Sequence, residues 1–315
     1  MACEKVLVIG ATGYLGQHLL QGMADVTNCT YLVAFTYFKS NPKKLIGAFP
    51  HASAFRVDLA TGEGFESISQ IFGQPDVVVN CSALSNPRAC EDNPSSAMAI
   101  NVPHSLVNWL SIFARKDTLL IHLSTDQVYE GTKSFYKEED ETSPVNMYGR
   151  SKLEAEQLVS NRYSNYAILR TSIIFGSQPV FPLSKSLPIQ WIDSVLSKGE
   201  EAKFFHDEYR CPIFVKDVVI IILALINKWL SGVKHMQLLL NIGGPDRVSR
   251  AQMAKAVADI RGHNASLIRP VSASSVTRGV PSPADISVDI SKLVQTLNIK
   301  PIAFKDGVRL TLEAD

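Results

Sequence analysis

Three glycines that follow the first apolar run constrain the fold of this chain more than any other feature. Residues 6–9 predict a buried strand, and the amphipathic segment that follows predicts a helix to about Met23. Gly10, Gly13 and Gly16 stand between them, where they permit a tight turn, a pyrophosphate close to the backbone, and close helix–strand packing. The spacing predicts a dinucleotide-binding turn, and the alternative is an ordinary βα turn.

Apolar runs alternate with helical segments through most of the chain. The runs cover residues 31–35, 54–57, 76–80, 119–123, 166–170 and 238–242. This alternation predicts an α/β fold with a doubly wound parallel sheet, in which ligands bind beyond the carboxyl ends of the strands. We expect a Rossmann domain in residues 1–176 plus 215–243, and a smaller substrate-side domain in residues 177–214 plus 244–315.

A tyrosine and a lysine share one face of the helix expected to begin near residue 148. Tyr148 and Lys152 are one helical turn apart, and Thr125 lies at the end of the fifth apolar run. A phenol has a pKa of about 10, which a nearby ammonium lowers. Tyr148 could then pass a proton to a carbonyl oxygen that Thr125 also contacts. The alternative is a packed aromatic residue beside a solvated lysine.

The residues after the second and third strands bear on the choice of cofactor. No acidic residue ends the second strand, where NAD-specific folds bind the ribose 2′-hydroxyl. Lys39, Lys43 and Lys44 follow instead, and they either balance a 2′-phosphate or form a solvated basic loop. Asp58 either meets an adenine amino group or caps the next turn.

Small residues follow the fourth strand. Cys81, Ser82 and Ala83 would let a cofactor lie close to the strand end, although they could equally serve a tight turn. Asn101, on a helix expected over residues 97–113, either braces the site or bonds only to nearby backbone.

Composition excludes several classes of protein. The formal net charge of +1 favours neither nucleic acid nor an anionic membrane as a partner. Five scattered cysteines without a CxxC pair indicate reduced thiols in a cytoplasmic compartment, and no signal peptide is expected. The longest apolar run, residues 218–230, is shorter than the roughly 20 residues of a membrane span. The histidines and cysteines predict no metal site.

Together these motifs resemble the extended short-chain dehydrogenase/reductases. The resemblance rests on the glycine motif, Ser-Thr-Asp at 124–126, the Tyr148–Lys152 pair, Leu-Arg-Thr at 169–171, and Pro212 before Val-Lys-Asp at 215–217. Residues 129–132, 136–140 and 144–149 are similar to the dTDP-4-dehydrorhamnose reductase branch. That branch includes the β regulatory subunits of methionine adenosyltransferase, which the C-terminal half also resembles at 253–254, 269–270 and 288–293.

The resemblance implies NADP(H) as cofactor and Thr125, Tyr148 and Lys152 as catalytic residues. The expected cofactor contacts are Gly10, Thr12, Gly13, Tyr14, Leu15, Gly16, Lys39, Asp58, Leu59, Cys81, Ser82, Ala83, Tyr148, Lys152 and Ile173. Asp126 and Gln127 are expected at the substrate. The branch commonly has tyrosine after its Ser-Thr-Asp motif, so Gln127 puts the sugar-nucleotide substrate in question.

Two functional classes follow from the resemblance. One is an NADPH-dependent reductase of a small-molecule ketone, either a nucleotide-linked 4-keto-6-deoxy sugar or a diverged carbonyl compound. The other is a cofactor-binding regulatory subunit whose partner is the methionine adenosyltransferase catalytic subunit.

Overall fold

A seven-stranded parallel sheet forms the centre of the molecule and confirms the predicted fold class. The computed structural model describes residues 4–25, 31–39, 42–114, 118–181, 183 and 187–314. The sheet order is β11-β6-β5-β4-β1-β2-β3, and every neighbouring pair is parallel. The seven strands are β1 Lys5–Ile9, β2 Leu32–Tyr37, β3 Ser53–Arg56, β4 Val77–Asn80, β5 Leu119–Thr125, β6 Tyr166–Thr171 and β11 Gln237–Ile242.

Helices cover both faces of this sheet, and three two-stranded pairs lie outside it. The helices are α1 Tyr14–Asp25, α2 Lys43–Ala48, α3 Phe65–Ser67, α4 Pro87–Asp92, α5 Pro94–Asn101, α6 His104–Trp109, α7 Met147–Arg162, α8 Pro188–Ser197, α9 Val215–Leu230, α10 Arg250–Arg261, α11 Ser291–Leu297 and α12 Phe304–Ala314. The short strands are β7 Ile174–Phe175, β8 Ala202–Phe205, β9 Tyr209–Arg210, β10 Ile213–Phe214, β12 Val248–Ser249 and β13 Ile268–Val271.

The core consists of two apolar layers, one on each side of the sheet. Leu19 of α1 and Ile222 of α9 are buried in one layer, and Leu106 of α6 and Val159 of α7 in the other. The apolar run at residues 218–230 is therefore part of the buried helix α9. Within the described ranges, no helix combines the length and the apolar character needed to cross a membrane. Those ranges also hold no cluster of three or more potential metal ligands.

A third apolar cluster lies among α8, α10 and α12, away from the central sheet. It buries Ile192, Val257 and Leu312, one from each helix. Ser249 caps α10: its side chain accepts from the Gln252 N–H, and the Gln252 side chain in turn accepts from the Ser249 N–H. This reciprocal capping satisfies two N–H groups that would otherwise lack partners.

The helix expected over residues 97–113 is wrong as a single element. The chain forms α5, breaks at Val102 and Pro103, and resumes as α6. Proline has no N–H to donate to the preceding turn, and its ring clashes with helical backbone there. The break places Asn101 at the carboxyl end of α5, where its side chain points toward α7 and the end of β4.

The start of α7 offers a test of local stability. Asn146 accepts from the Gly149 N–H at 2.9 Å and donates to Gln127 Oε1 at 2.9 Å and to the Pro281 carbonyl at 3.1 Å. We predict that Asn146→Ala lowers the free energy of unfolding by about 1–2 kcal/mol, because it removes a helix cap and two buried bonds. Urea denaturation measures this change. Asn264→Ala removes the cap of a short exposed helix and serves as control; equal losses in both variants would contradict the prediction.

Candidate active site

The glycine turn lies at the edge where the strand order reverses, between β1 and its neighbours β4 and β2. Gly10 has φ of +75°, and a Cβ atom there would lie 2.8 Å from the Ser82 Cα. A Cβ at Gly16 would lie 2.5 Å from the Ala11 Cα, whereas Gly13 is exposed and meets only the Gly10 carbonyl. The turn is therefore closed on its inner side and open to a ligand at Gly13.

The first turn of α1 adds features that suit a phosphate group. It contains no acidic residue, and the amino end of a helix attracts anions through its free N–H groups. The Thr12 carbonyl accepts from Gln17 at 3.2 Å, and the Tyr14 hydroxyl donates to the Ser177 carbonyl at 3.1 Å. Leu15 is buried beneath the turn. These residues fit the pyrophosphate of a dinucleotide.

Two cationic side chains lie near the same aromatic ring at the carboxyl ends of β2 and β3. Lys39 Nζ and Arg56 Cζ each lie 5.5 Å from the centre of the Phe38 ring. Arg56 pairs with Tyr37 across the two strands, which explains its position. The sequence alone does not indicate Arg56, because the strand register that brings it beside β2 is not visible in the chain order.

The other predicted lysines and Asp58 are placed differently. Lys44 lies over the Phe181 ring at 5.9 Å, and Lys43 begins α2. Asp58 Oδ1 accepts from the Ala60 N–H at 2.9 Å, so this carboxylate caps a turn. Leu59 is buried, and its carbonyl accepts from the Ser105 hydroxyl at 2.5 Å.

The segment after β4 forms the floor between the glycine turn and α7. The Cys81 N–H donates to the Ile9 carbonyl at 3.0 Å, and the half-buried Ser82 and Ala83 follow. Asn101 holds this segment: it accepts from the Leu84 N–H at 2.7 Å and donates to the Ser151 hydroxyl at 2.8 Å. Asn101 therefore joins the floor to the helix that carries Tyr148. The Ile173 carbonyl accepts from the Ile213 N–H at 2.8 Å.

Thr125 and Tyr148 meet at the carboxyl end of β5. Their side chains interact, and both residues are buried. Burial raises the pKa of Tyr148 above its usual value; the Thr125 hydroxyl opposes this, while Asp126 and Cys90 add to it. The expectation that Lys152 lowers this pKa is wrong for the structure as it stands, because desolvation of the phenolate is the larger effect.

Lys152 lies deeper than Tyr148 and is almost wholly enclosed, with 1% of its surface exposed. Its Nζ is 3.1 Å from His122 Nε2. Burial lowers the pKa of Lys152 to about 8, and the charges of Glu156 and Cys81 act in the opposite direction. The alternative of a solvated surface lysine is therefore wrong.

Asp126 and Gln127 occupy opposite sides of the short helical turn after β5. Asp126 is buried; burial raises the pKa of its carboxyl group, and Arg210 opposes that rise. Gln127 is half-buried, and its Oε1 accepts from Asn146 at 2.9 Å. Gln127 thus contacts the cap of α7, whereas Asp126 faces the cationic residues described next.

Two arginines from distant parts of the chain, Arg250 and Arg278, line a cavity of about 320 Å³. The charges of Arg210 and Arg250 also act on the buried Asp126. Arg278 pairs with Glu208 at 2.5 Å. Among the described residues the Arg250 guanidinium has no hydrogen bond or ion pair, and burial followed by repulsion from Arg210 lowers the pKa of Arg250 to about 10. The cavity is lined by Pro188, Trp191, Ile192, Lys203, Phe204, Phe205, Glu208, Arg250, Met253, Arg278 and Ser282. The amino-acid sequence alone does not indicate that these arginines lie close together, because they are far apart in the chain.

The doubly wound sheet, the glycine turn at its switch point and the Thr–Tyr–Lys set define an extended short-chain dehydrogenase/reductase. Within that class, the chain belongs to the RmlD substrate binding domain family, whose family model matches residues 4–315. It is 30% identical to methionine adenosyltransferase 2 subunit beta of Pongo abelii, over 98% of this chain and 87% of that protein.

Solved structures share this fold at low sequence identity. A dTDP-4-dehydrorhamnose reductase from Bacillus anthracis in complex with NADP aligns with a TM-score of 0.79 and 19% identity over 100% of both chains. A dTDP-glucose 4,6-dehydratase from the same organism in complex with NAD aligns with a TM-score of 0.80 and 18% identity, over 99% of this chain and 96% of that one. At these identities the likeness establishes the fold.

The burial of Lys152 predicts a specific dependence of stability on pH. Its pKa is about 8 in the folded protein and 10.5 for an unperturbed lysine, so between these pH values the unfolded chain binds more protons. Stability therefore rises with pH across this window, by roughly 3 kcal/mol for two pKa values this far apart. We predict that the free energy of unfolding of the wild type, relative to Lys152→Met, rises by this amount from pH 8 to 10.5. Denaturant titrations at several pH values measure it, and a pH-independent difference would contradict the burial argument.

Proposed function

We propose that this protein is an NADPH-dependent reductase that transfers hydride to the carbonyl carbon of a ketone. The observation that carries the proposal is the buried contact between Thr125 and Tyr148, with the enclosed Lys152 one turn along α7, at the strand ends beside the glycine turn. Bound NADPH would supply the hydride. Lys39 and Arg56 would meet its 2′-phosphate, and the turn at Gly13 its pyrophosphate.

The residues of the chain would manage the proton and the developing charge. The raised pKa of Tyr148 keeps its proton in place at neutral pH until the carbonyl oxygen gains negative charge. Thr125 would then donate to the same oxygen, so that two hydroxyl groups stabilise the alkoxide as it forms. Lys152, in its charged form, would add positive charge behind the phenol, and it would contact the nicotinamide ribose.

The arginine-lined cavity supports a nucleotide-linked 4-keto-6-deoxy sugar as the substrate class. Arg250 is a half-buried cation with no hydrogen bond or ion pair among the described residues, which suits a diphosphate. Trp191 has 45% of its surface exposed at the same cavity, where a base could stack. The substrate side would comprise residues 177–214 and 244–315. Gln127, in place of the branch's tyrosine, supports a pocket that accepts a diverged carbonyl compound.

A second candidate is a regulatory subunit that binds NADP without turnover. It is favoured by the 30% identity to methionine adenosyltransferase 2 subunit beta over nearly the whole chain. The partner would then be a methionine adenosyltransferase catalytic subunit. The two proteins would meet in the cytoplasm, a reducing compartment in which the free thiols of Cys81, Cys90 and Cys211 would stay reduced.

The first prediction for this function concerns the cofactor. NADPH should bind roughly tenfold more tightly than NADH, since a charge-assisted phosphate contact is worth on the order of 1–2 kcal/mol more than a neutral one. Lys39→Ala and Arg56→Ala should each weaken NADPH and leave NADH unchanged. Fluorescence titration measures both affinities. Lys305→Ala, a lysine of α12, is the control. Tighter binding of NADH than of NADPH by the wild type would contradict the assignment of Lys39 and Arg56 to the 2′-phosphate.

The second prediction separates the reductase from the regulator. Tyr148→Phe removes the proton donor and keeps the ring, so turnover should fall by about 10²–10⁴-fold while NADPH affinity changes little. The measurement is NADPH oxidation with nucleotide-linked 4-keto sugars and small ketones. Tyr166→Phe, at the amino end of β6, is the matched control.

The regulatory candidate predicts a different pattern for the same variants. Tyr148→Phe would leave the activity of the partner enzyme unchanged, while Gly13→Val, which adds a side chain in the open turn, would disturb both cofactor binding and the partner. If the wild type turns over no compound faster than Tyr148→Phe, the reductase proposal fails and the regulatory one gains.

A further inference from the structure

A row of hydrogen bonds joins the floor of the site to Lys152 through the interior of the sheet. The Ser82 N–H donates to Asn80 Oδ1 at 3.1 Å, Asn80 Nδ2 lies 3.2 Å from His122 Nδ1, and His122 Nε2 lies 3.1 Å from Lys152 Nζ. Asn80 and His122 are paired residues of β4 and β5, with 1% and 0% of their surfaces exposed. Neither residue has a role in the function proposed above.

The first member of this row sets the direction of every bond that follows. A backbone N–H only donates, so the oxygen of Asn80 must face Ser82 and its NH₂ group must face His122. His122 Nδ1 must then accept. A neutral imidazole with a bare Nδ1 carries its hydrogen on Nε2, and that hydrogen points at Lys152 Nζ.

An amine nitrogen can accept this bond, but an ammonium cannot. If Lys152 is charged, His122 must accept at Nε2 and carry its hydrogen on Nδ1. Asn80 must then turn its oxygen toward His122, which leaves its NH₂ group against the Ser82 N–H. Charging Lys152 therefore breaks one bond of the row. A doubly protonated ring does not resolve the conflict, because burial and Lys152 hold the pKa of His122 well below its usual value.

The other groups around Lys152 leave His122 as the group in direct contact with Nζ. Glu156, one turn along α7, is engaged by the buried Arg170 at 2.7 Å. Cys81, at the end of β4, is a thiol whose pKa burial raises to about 12. Tyr148, one turn earlier on α7, keeps its proton for the same reason. The state of the imidazole therefore acts on Lys152 most directly.

We propose that Asn80 and His122 are positioning residues that favour the uncharged amine of Lys152, and that charging this lysine releases the Ser82 N–H. Because the Ser82 backbone packs directly against Gly10, protonation of the lysine and the shape of the floor beside the glycine turn are coupled. The importance of Lys152 to catalysis rests on the proposed function. The direction of the hydrogen bonds from Ser82 to Lys152 does not depend on it.

The first experiment locates the hydrogen on His122 in the cofactor-free wild type. Protonated and bare imidazole nitrogens have well-separated ¹⁵N shifts, so protein labelled with ring-¹⁵N histidine reports the tautomer directly. At pH values above the pKa of Lys152, where the lysine is an uncharged amine, we expect the hydrogen on Nε2. A hydrogen on Nδ1 at those pH values would overturn the proposal. Asn80→Asp should move the hydrogen to Nδ1, because a carboxylate accepts from both Ser82 and His122. If the hydrogen stays on Nε2 in this variant, the proposed direction of the hydrogen bonds is contradicted.

The second experiment measures the pKa of Lys152 itself. Protein labelled with [6-¹³C]lysine is titrated without cofactor, and Lys152→Met assigns the signal. His122→Leu removes a donor that favours the amine, so the pKa of Lys152 should rise by about one unit, a tenfold change in the protonation equilibrium. His104→Leu, an exposed histidine at the start of α6, should leave it unchanged.

The outcomes separate this proposal from a packing role and from the reductase proposal. A lower or unchanged pKa in His122→Leu would mean that the imidazole accepts from an ammonium or only fills space, and would overturn the proposal. If His122→Leu does not fold, the tautomer of the wild type decides alone. Neither measurement uses cofactor or turnover, so failure of the reductase proposal would leave both results standing.

Discussion

The buried ion pair between Arg170 of β6 and Glu156 of α7 fixes the helix on which the site depends. Arg170 Nη2 lies 2.7 Å from Glu156 Oε2, and both side chains are about 5% exposed. Burial acts to lower the pKa of Arg170, but the bonds to Glu156 outweigh it and raise that pKa. Leaving one partner of such a pair alone in the interior costs roughly 3–5 kcal/mol, so this contact holds α7 in one position on the sheet.

The same pair extends into a network that reaches the edge of the sheet. Arg170 Nη1 donates to the Tyr129 hydroxyl at 2.9 Å, and that hydroxyl donates to Asn241 Oδ1 at 2.8 Å. The Asn241 N–H donates to Glu138 Oε1 at 2.8 Å. Strands β6 and β11, helix α7 and the loop before α7 are therefore joined by satisfied polar groups. This network fixes the position of α7 on the sheet, and thereby the positions of Tyr148 and Lys152.

The site holds charged groups where the interior disfavours them. Lys152 is enclosed and its pKa is lowered, and Arg250 is half-buried with no hydrogen bond or ion pair among the described residues. Groups perturbed in this way, and gathered at one strand edge, are typical of functional sites. The membership of the family and the likeness to reductases and dehydratases establish the fold, whereas the activity is decided by these particular residues.

The sequence by itself determined the features that arise from local patterns. The glycine turn, the alternation of strands and helices, the caps at Asn146 and Ser249, and the shared face of Tyr148 and Lys152 all depend on neighbours within one or two turns of chain. Tertiary structure decided the rest. His122 stood in an apolar run until the register of β4 and β5 placed it beside Asn80, and the register of β2 and β3 placed Arg56 beside Tyr37. Packing brought Arg210 and Arg250, which are distant in the chain, close enough to act on Asp126. The direction of the pKa shift of Tyr148 followed the same rule, because desolvation is set by everything packed around a group and not by the residue one turn away.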